Sequence, residues 1–297
     1  NGMNLFEILK KIPEIQNFDS PIPSYLYGAF RRKSISFFNG LTDENTIVYW
    51  FQSRSFTIDL RLKHRTETPA HERQGWIGHT LWDTEQELLS WQVADASNYQ
   101  NHVQWPEPAK LHAIGNCILE FSPSNVYVED WRQQVHSGLY LGLRLKTAVD
   151  VERGEQLNMD GGLIICDQHV AYTLTRLPEI QNIVSHLDLT ADGLETNNIE
   201  HIESFEVSIG TDGHTKSYST SSEQTDQPFN FDDFEIIDDS TLKQRTSLNG
   251  RQIDLIFDID IYQSTYLFQQ QTCTTPSSEH WLKSEESHLL HHAKLTL

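Results

Sequence analysis

In the stretch NVYVEDWRQ, Tyr127, Glu129 and Trp131 occupy alternate positions and share one face of an extended strand. Turned into a cavity, they give a ligand a phenol, a carboxylate and an indole wall. Turned to water, the same strand points Val126 and Val128 inward and leaves Glu129 solvated. Glu120, in CILEF, adds a second carboxylate, and Arg54, in WFQSRSF, adds a guanidinium able to pair bidentately with either. Two kinds of chemistry fit these types. An internal Arg–Glu pair serves structure more often than catalysis. A buried carboxyl beside a tyrosine can also move a proton.

The placement of Arg54 depends on the run TIVYWFQSRSFTIDLRL. As one strand, it puts Val48, Trp50, Gln52 and Arg54 on a common face, and the buried guanidinium then needs a carboxylate or an anionic ligand. As two strands joined by a bend at QSRS, it puts Arg54 at a barrel rim. Short strands favour the bend. Before Gln52 both faces are apolar, as in a strand covered on both sides. After Arg54, Phe56, Ile58, Leu60 and Leu62 alternate with Thr57, Asp59 and Arg61.

The elements around these residues are almost all strands. Leu5, Phe6, Ile8, Leu9, Ile12 and Ile15 predict a short amphipathic N-terminal helix. From TIVYWF to LYLGLRLK, short runs of period two are separated by Gly, Pro, Asn, Asp and Ser, the pattern of an antiparallel barrel or sandwich. The second half repeats the style from GGLIICDQ to STYLFQQQT. Gln52, Phe56 and Thr57 align with Gln168, Tyr172 and Thr173, and Gly115, Tyr127 and Trp131 align with Gly250, Tyr262 and Tyr266. The expectation is an internal duplication: residues 1–155 as helix plus first barrel, and residues 156–297 as second barrel with a C-terminal helix in SSEHWLKSEESHLLHHAKL. The units meet near VDVERGEQLNMD, and the polar tract at 211–228 reads as a solvent loop.

The 297 residues are 37% apolar and 10% aromatic, enough for a substantial core. A formal charge of −20 opposes nucleic-acid binding and docking on anionic lipid. Cys117, Cys166 and Cys273 are too few and too scattered for a disulfide framework or a zinc site. Asn1-Gly2 ahead of Met3 reads as a cloning remnant. Glu7, Lys10 and Lys11 interrupt any signal-like apolar run, so a cytoplasmic location is expected, with no membrane span. His288 and His292, with Glu285, have the spacing of a helical metal pair, but HEXXH is absent and no fourth ligand is evident. Calcium-loop, phosphate-loop and GxSxG patterns are missing, so neither metal nor cofactor is expected.

WFQSRSFTIDLR, GWIG, the strand at Trp91, Gly115 with Glu120, and YVEDW together resemble the two-barrel, lipocalin-like proteins of the calycin type. That group takes in uncharacterised bacterial proteins and a fungal casein-kinase-interacting protein. The resemblance implies a mainly β fold of two lipocalin-like antiparallel barrels, the first with a small-molecule cavity, and it carries over no catalytic residue. The approach to Gly115, LHAI, departs from the group in lacking a carboxylate. The reading is a protein that binds a small apolar or amphipathic ligand. Trp50, Trp76, Trp91 and Trp131 line its cavity, while Gln52, Arg54, Glu120, Tyr127 and Glu129 orient the ligand's polar end. A hydratase- or isomerase-like enzyme and an interaction scaffold with filled barrels are the alternatives; protein partners and the ligand's identity stay open.

Overall fold

Turn residues divide the first half of the chain into antiparallel hairpins. The computed structural model describes residues 2–102, 107–190 and 194–295. Its first strands are β1 (Gly28–Phe37), β2 (Thr42–Asp43), β3 (Ile47–Gln52), β4 (Phe56–Leu62), β5 (Gln74–Asp83), β6 (Leu88–Gln92), β7 (Ala109–Ile114), β8 (Cys117–Phe121) and β9 (Tyr127–Gln133). Gly115 (φ 58°) makes the β7–β8 turn and Asn125 (φ 62°) the β8–β9 turn, residue types that tolerate this backbone region. QSRS is a bend: β3 ends at Gln52 and β4 begins at Phe56.

Each strand from β3 to β9 pairs with the next, β3 pairs with β1, and β1 closes on β9. The result is a closed antiparallel barrel of eight strands, with β2 as a short flap on β1. Closure requires a register shift between Arg32 and Ser34 on β1.

The second sheet is built from β10 (Ser137–Asp150), β11 (Glu155–Leu157), β12 (Gly161–Cys166), β13 (His169–Leu174), β14 (Glu206–Gly210), β15 (Tyr218–Ser219), β16 (Phe234–Asp238), β17 (Thr241–Leu248) and β18 (Arg251–Leu267). Its order is β15-β14-β13-β12-β10-β18-β17-β16, with β11 on β10. The expected second closed barrel is not shown. The end strands β15 and β16 do not pair with each other among the described residues. Every residue of β12 is buried, so this sheet needs cover on both faces. One face lies on the outside of the first barrel, where Gly162 approaches Ile77 and Phe56. The other carries a second core of Leu141, Leu143, Ile165, Leu242 and Phe257, capped by Leu5, Ile8 and Leu9 of α1 (Leu5–Leu9).

The chain changes sheets between Gln133 and Ser137, so LYLGLRLK belongs to β10, and 149–160 holds the β10–β11 turn. The tract at 211–228 is not a free loop. Tyr218 and Ser219 pair with β14, and the Thr220 hydroxyl donates to the Phe205 carbonyl at 2.7 Å. Helices α2 (Pro178–Val184) and α3 (Thr196–Glu203) follow β13, and α4 (Pro276–Leu289) has no buried residue.

The two sheets are locked by polar contacts at the β3–β4 bend. The buried Asp260 carboxylate accepts from Ser53 Oγ at 2.6 Å, Ser55 N at 2.9 Å and Ser55 Oγ at 2.5 Å. Tyr140 donates its hydroxyl to the Gln52 carbonyl. Gly142 lies so near Ser53 that a Cβ there would collide with Oγ.

Candidate functional site

Pairing register decides which side chains fill the barrel, because partners directly opposite in an antiparallel ladder point to the same side. Gln52 faces Thr57, Trp50 faces Asp59, and Asp59 also faces Trp76 across β5. Glu120 faces Glu129, Ile118 faces Trp131, and Phe37 faces Tyr127. The polar face of β4 is therefore the inner one. Its apolar face, Phe56, Ile58 and Leu60, points outward and is fully buried beneath the second sheet.

A pocket of about 440 Å³, open to solvent on one side, enters the barrel from its mouth. Trp50, Trp76, Trp91 and Trp131 form its aromatic wall; Thr57, Asp59, Arg61, Glu120, Tyr127 and Glu129 form its polar side. The indoles meet edge to face: Trp50 and Trp131 lie 5.5 Å apart at 80°, and Trp50 and Trp91 lie 6.2 Å apart at 81°. Phe37, Arg61, Gln74 and Glu107 reach solvent at the mouth.

Gln52 lies under the floor, with no exposed surface. Its Oε1 accepts from Trp50 Nε1 (3.1 Å) and from the Thr57 hydroxyl (2.7 Å). Its Nε2 donates to the carbonyls of Ser53 and Phe56 and to Thr80. Trp91 Nε1 donates to Thr57 Oγ1 at 3.1 Å. Two of the four indoles are thus anchored from below.

Glu120 and Glu129 are both buried, at 5% and 4% exposure. Arg32 of β1 donates from Nη1 to Glu129 at 3.1 Å and from Nη2 to Asp43 at 3.1 Å. Glu120 has no cation bonded to it among the described residues; the Tyr127 hydroxyl donates to it at 3.2 Å. Burial, and then the neighbouring Glu129, push the Glu120 carboxyl well above the usual carboxylate range. Burial and the two glutamates also raise the Tyr127 phenol. Burial raises Asp59, and its bond to Arg61 Nε (3.0 Å) works against that rise. Glu120 thus gives up its proton less readily than an ordinary glutamate, beside a wall of indoles.

Seven of the nine residues singled out in the sequence line this cavity: Trp50, Trp76, Trp91, Glu120, Tyr127, Glu129 and Trp131. Gln52 supports it from beneath. Arg54 lies outside, at the end of the barrel away from the mouth. It donates to the Asp260 and Asp19 carbonyls and pairs with the Asp260 carboxylate at 3.5 Å. Sequence reasoning missed Arg32, Asp59 and Arg61. The signal for the last two was present: a β3 strand apolar on both faces implies an outer cover that β4 shares, which frees the polar face of β4 to turn inward.

The His288–His292 spacing does not survive as a helical pair, because α4 ends at Leu289 and His292 takes φ 68°. Among the described residues no group of three His, Cys, Asp or Glu is placed to hold a metal ion. No described helix is long and apolar enough to cross a membrane. No family model matches the chain, and no match was found among curated proteins or solved structures.

Proposed function

We propose that the first barrel is a receptor for one small, mostly apolar molecule, held by its aromatic wall and oriented by the Glu120–Tyr127–Glu129 cluster. The supporting observation is the pocket that enters the barrel. Natural interiors are close-packed, and unfilled volume forfeits contacts that stabilise the fold. A cavity of about 440 Å³ falls within the range of about 300–1,000 Å³ usual for small-molecule sites, with many apolar walls and few convergent polar groups. Such a volume also weighs against a scaffold whose first barrel is filled by its own side chains. A closed barrel around a cavity accords with the lipocalin-like resemblance. The aligned hairpins β3–β4 and β12–β13 are then copies of one ancestral unit, the second left open where it covers the first. Residues 1–155 and 156–297 are read as the corresponding domains.

Glu120 favours a second reading, an enzyme of the hydratase or isomerase type. A buried carboxyl that gives up its proton reluctantly can serve as a general acid, able to protonate an unsaturated carbon of a bound substrate. Water then adds and sheds one of its protons, or a neighbouring C–H proton leaves; in either case the released proton returns to the Glu120 carboxylate and closes the cycle.

Native mass spectrometry of freshly purified protein tests the receptor reading. One chain should carry one small-molecule adduct, absent from an Ile35→Trp variant whose new ring occupies the cavity. Bare mass for the original protein, together with no binding of any added apolar probe, would overturn it.

A further inference from the structure

The second sheet has a pocket of its own. Pairing register puts Tyr172 of β13 and Glu206 of β14 on the face that carries the second core, together with Phe234 of β16, Gln244 of β17 and Phe257 of β18. The chain between β14 and β16 crosses this face and is pinned to itself there. Phe229 N donates to the His214 carbonyl at 2.8 Å, and Lys216 N donates to the Gln227 carbonyl at 2.9 Å. Sheet and crossing segment enclose a pocket of about 210 Å³, with the rings of Tyr172, Phe229, Phe231, Phe234 and Phe257 around it.

Its charged wall residues, Glu206 and Lys216, answer each other. Lys216 Nζ lies 2.7 Å from Glu206 Oε2 and donates to Gln224 Oε1 at 2.8 Å, with the Tyr172 and Phe229 rings beside it. A charged ligand therefore meets no unpaired counter-charge. Two neutral polar groups in the wall are uncommitted. Gln244 is only 4% exposed, and its Nε2 donates to the Asn230 and Asp232 carbonyls, both at 3.1 Å. Two carbonyls require the amide's NH₂ end, which fixes its orientation and leaves Oε1 without a donor among the described residues. Burial, and then the Glu206 carboxylate, push the Tyr172 phenol up, so it stays a donor. Its hydroxyl too has no hydrogen-bond partner among the described residues. Neither oxygen is sealed off; both keep accessible surface on residues that line the pocket. An acceptor and a donor left unpaired among aromatic rings are costly, and a ligand that pairs both removes that cost.

We infer that this pocket is a second binding site, separate from the first barrel, and that its ligand is a small neutral phenol. A hydroxyl is both donor and acceptor: it gives its hydrogen to Gln244 Oε1 and takes that of Tyr172. The ligand's ring lies among the phenylalanines. The volume sets the size, since sites for drug-sized ligands hold about 300–1,000 Å³ and an apolar cavity of about 150 Å³ takes benzene. One substituted ring fills the space.

Calorimetric titration with four related probes tests this: 4-ethylphenol, 4-ethylanisole, 4-ethylbenzoate and 4-ethylbenzylamine. The phenol should bind about tenfold tighter than the anisole, which has no hydrogen to give Gln244, and tighter than either ion. Tyr172→Phe, which keeps the ring, should weaken the phenol about fivefold. Thr246→Trp, whose indole fills the pocket from β17, should abolish its binding. Ile35→Trp, which fills the first barrel instead, should leave the phenol's affinity unchanged, so the two sites are read apart. Anisole or either ion binding as tightly as the phenol overturns the inference, as does a phenol affinity unchanged in Tyr172→Phe or lost in Ile35→Trp. Binding of none of the four overturns it too, and leaves the receptor reading of the first barrel to its own test. If Thr246→Trp does not fold, Tyr172→Phe and Ile35→Trp decide the matter.

Discussion

Glu120 and Glu129 stand directly opposite each other across the β8–β9 ladder, both buried inside the first barrel, and only Glu129 is paired to an arginine. Like charges in opposed positions destabilise a sheet, so this pair sits in a conflict that a proton on Glu120 resolves.

The conflict has a pH signature. Glu120 holds its proton in the native state to a higher pH than the ordinary glutamate value of about 4.3. Above that value the native protein binds a proton that the unfolded chain has lost. Stability from this group is therefore present at low pH and is lost as the pH rises through the raised native pKa. Glu120→Gln removes the dependence. Urea midpoints at pH 5 and pH 8 should differ less for the variant, and at pH 8 the variant should be the more stable protein. Parallel pH profiles would contradict this assignment.

Its neighbour should behave in the opposite sense. Glu129→Gln leaves Arg32, itself buried, with only the partly exposed Asp43. Removing one partner of a buried ion pair costs about 3–5 kcal/mol, and Asp43 should hold the loss near the lower figure. Chemical denaturation at pH 7 provides the comparison. A Glu129→Gln protein as stable as Glu120→Gln would mean that the Arg32 pair is not formed.

Asp260 and Arg54 test what joins the sheets. Asp260→Ala leaves two serine hydroxyls and the Ser55 amide without their buried acceptor, a loss of about 3 kcal/mol. Arg54, at 30% side-chain exposure, should cost less when changed to alanine. Neither variant should change small-molecule affinity, since neither side chain reaches the cavity. A fall in affinity for Arg54→Ala would return that residue to the site.

Gly142→Ala forces a Cβ against Ser53 Oγ where β10 crosses the β3–β4 bend. Overpacking of this kind costs about 1–3 kcal/mol. Gly154, whose added Cβ would meet nothing within 4 Å, lies in the left-handed region at φ 63° and would be penalised by backbone strain alone. Thermal denaturation of Gly142→Ala combined with Ser53→Ala separates contact from strain: the second substitution should restore part of the lost stability. No recovery would place the strain elsewhere.

The inward face of Tyr127, Glu129 and Trp131 was legible as one of two options in a single strand, and the bend at QSRS was legible from its polar residues. What settles each inner face is pairing register and outer cover, neither of which a strand states alone. In β4 the apolar alternation is as clean as any in the chain, yet it faces the second sheet and leaves Asp59 and Arg61 inside. Arg54 illustrates the same limit: its partner Asp260 lies in β18, in the other half of the chain. The same limit holds for β12, whose apolar residues on both faces serve two cores.

The tryptophan-walled interior of the first barrel should admit a small molecule. Energy transfer from those tryptophans to a neutral naphthalene ketone, 6-propionyl-2-(dimethylamino)naphthalene, measures this directly. Transfer should be saturable with blue-shifted probe emission in the original protein, and lost in an Ile35→Trp variant that still unfolds cooperatively. Absence of saturable transfer in the original protein, or equal transfer in the filled variant, would contradict it.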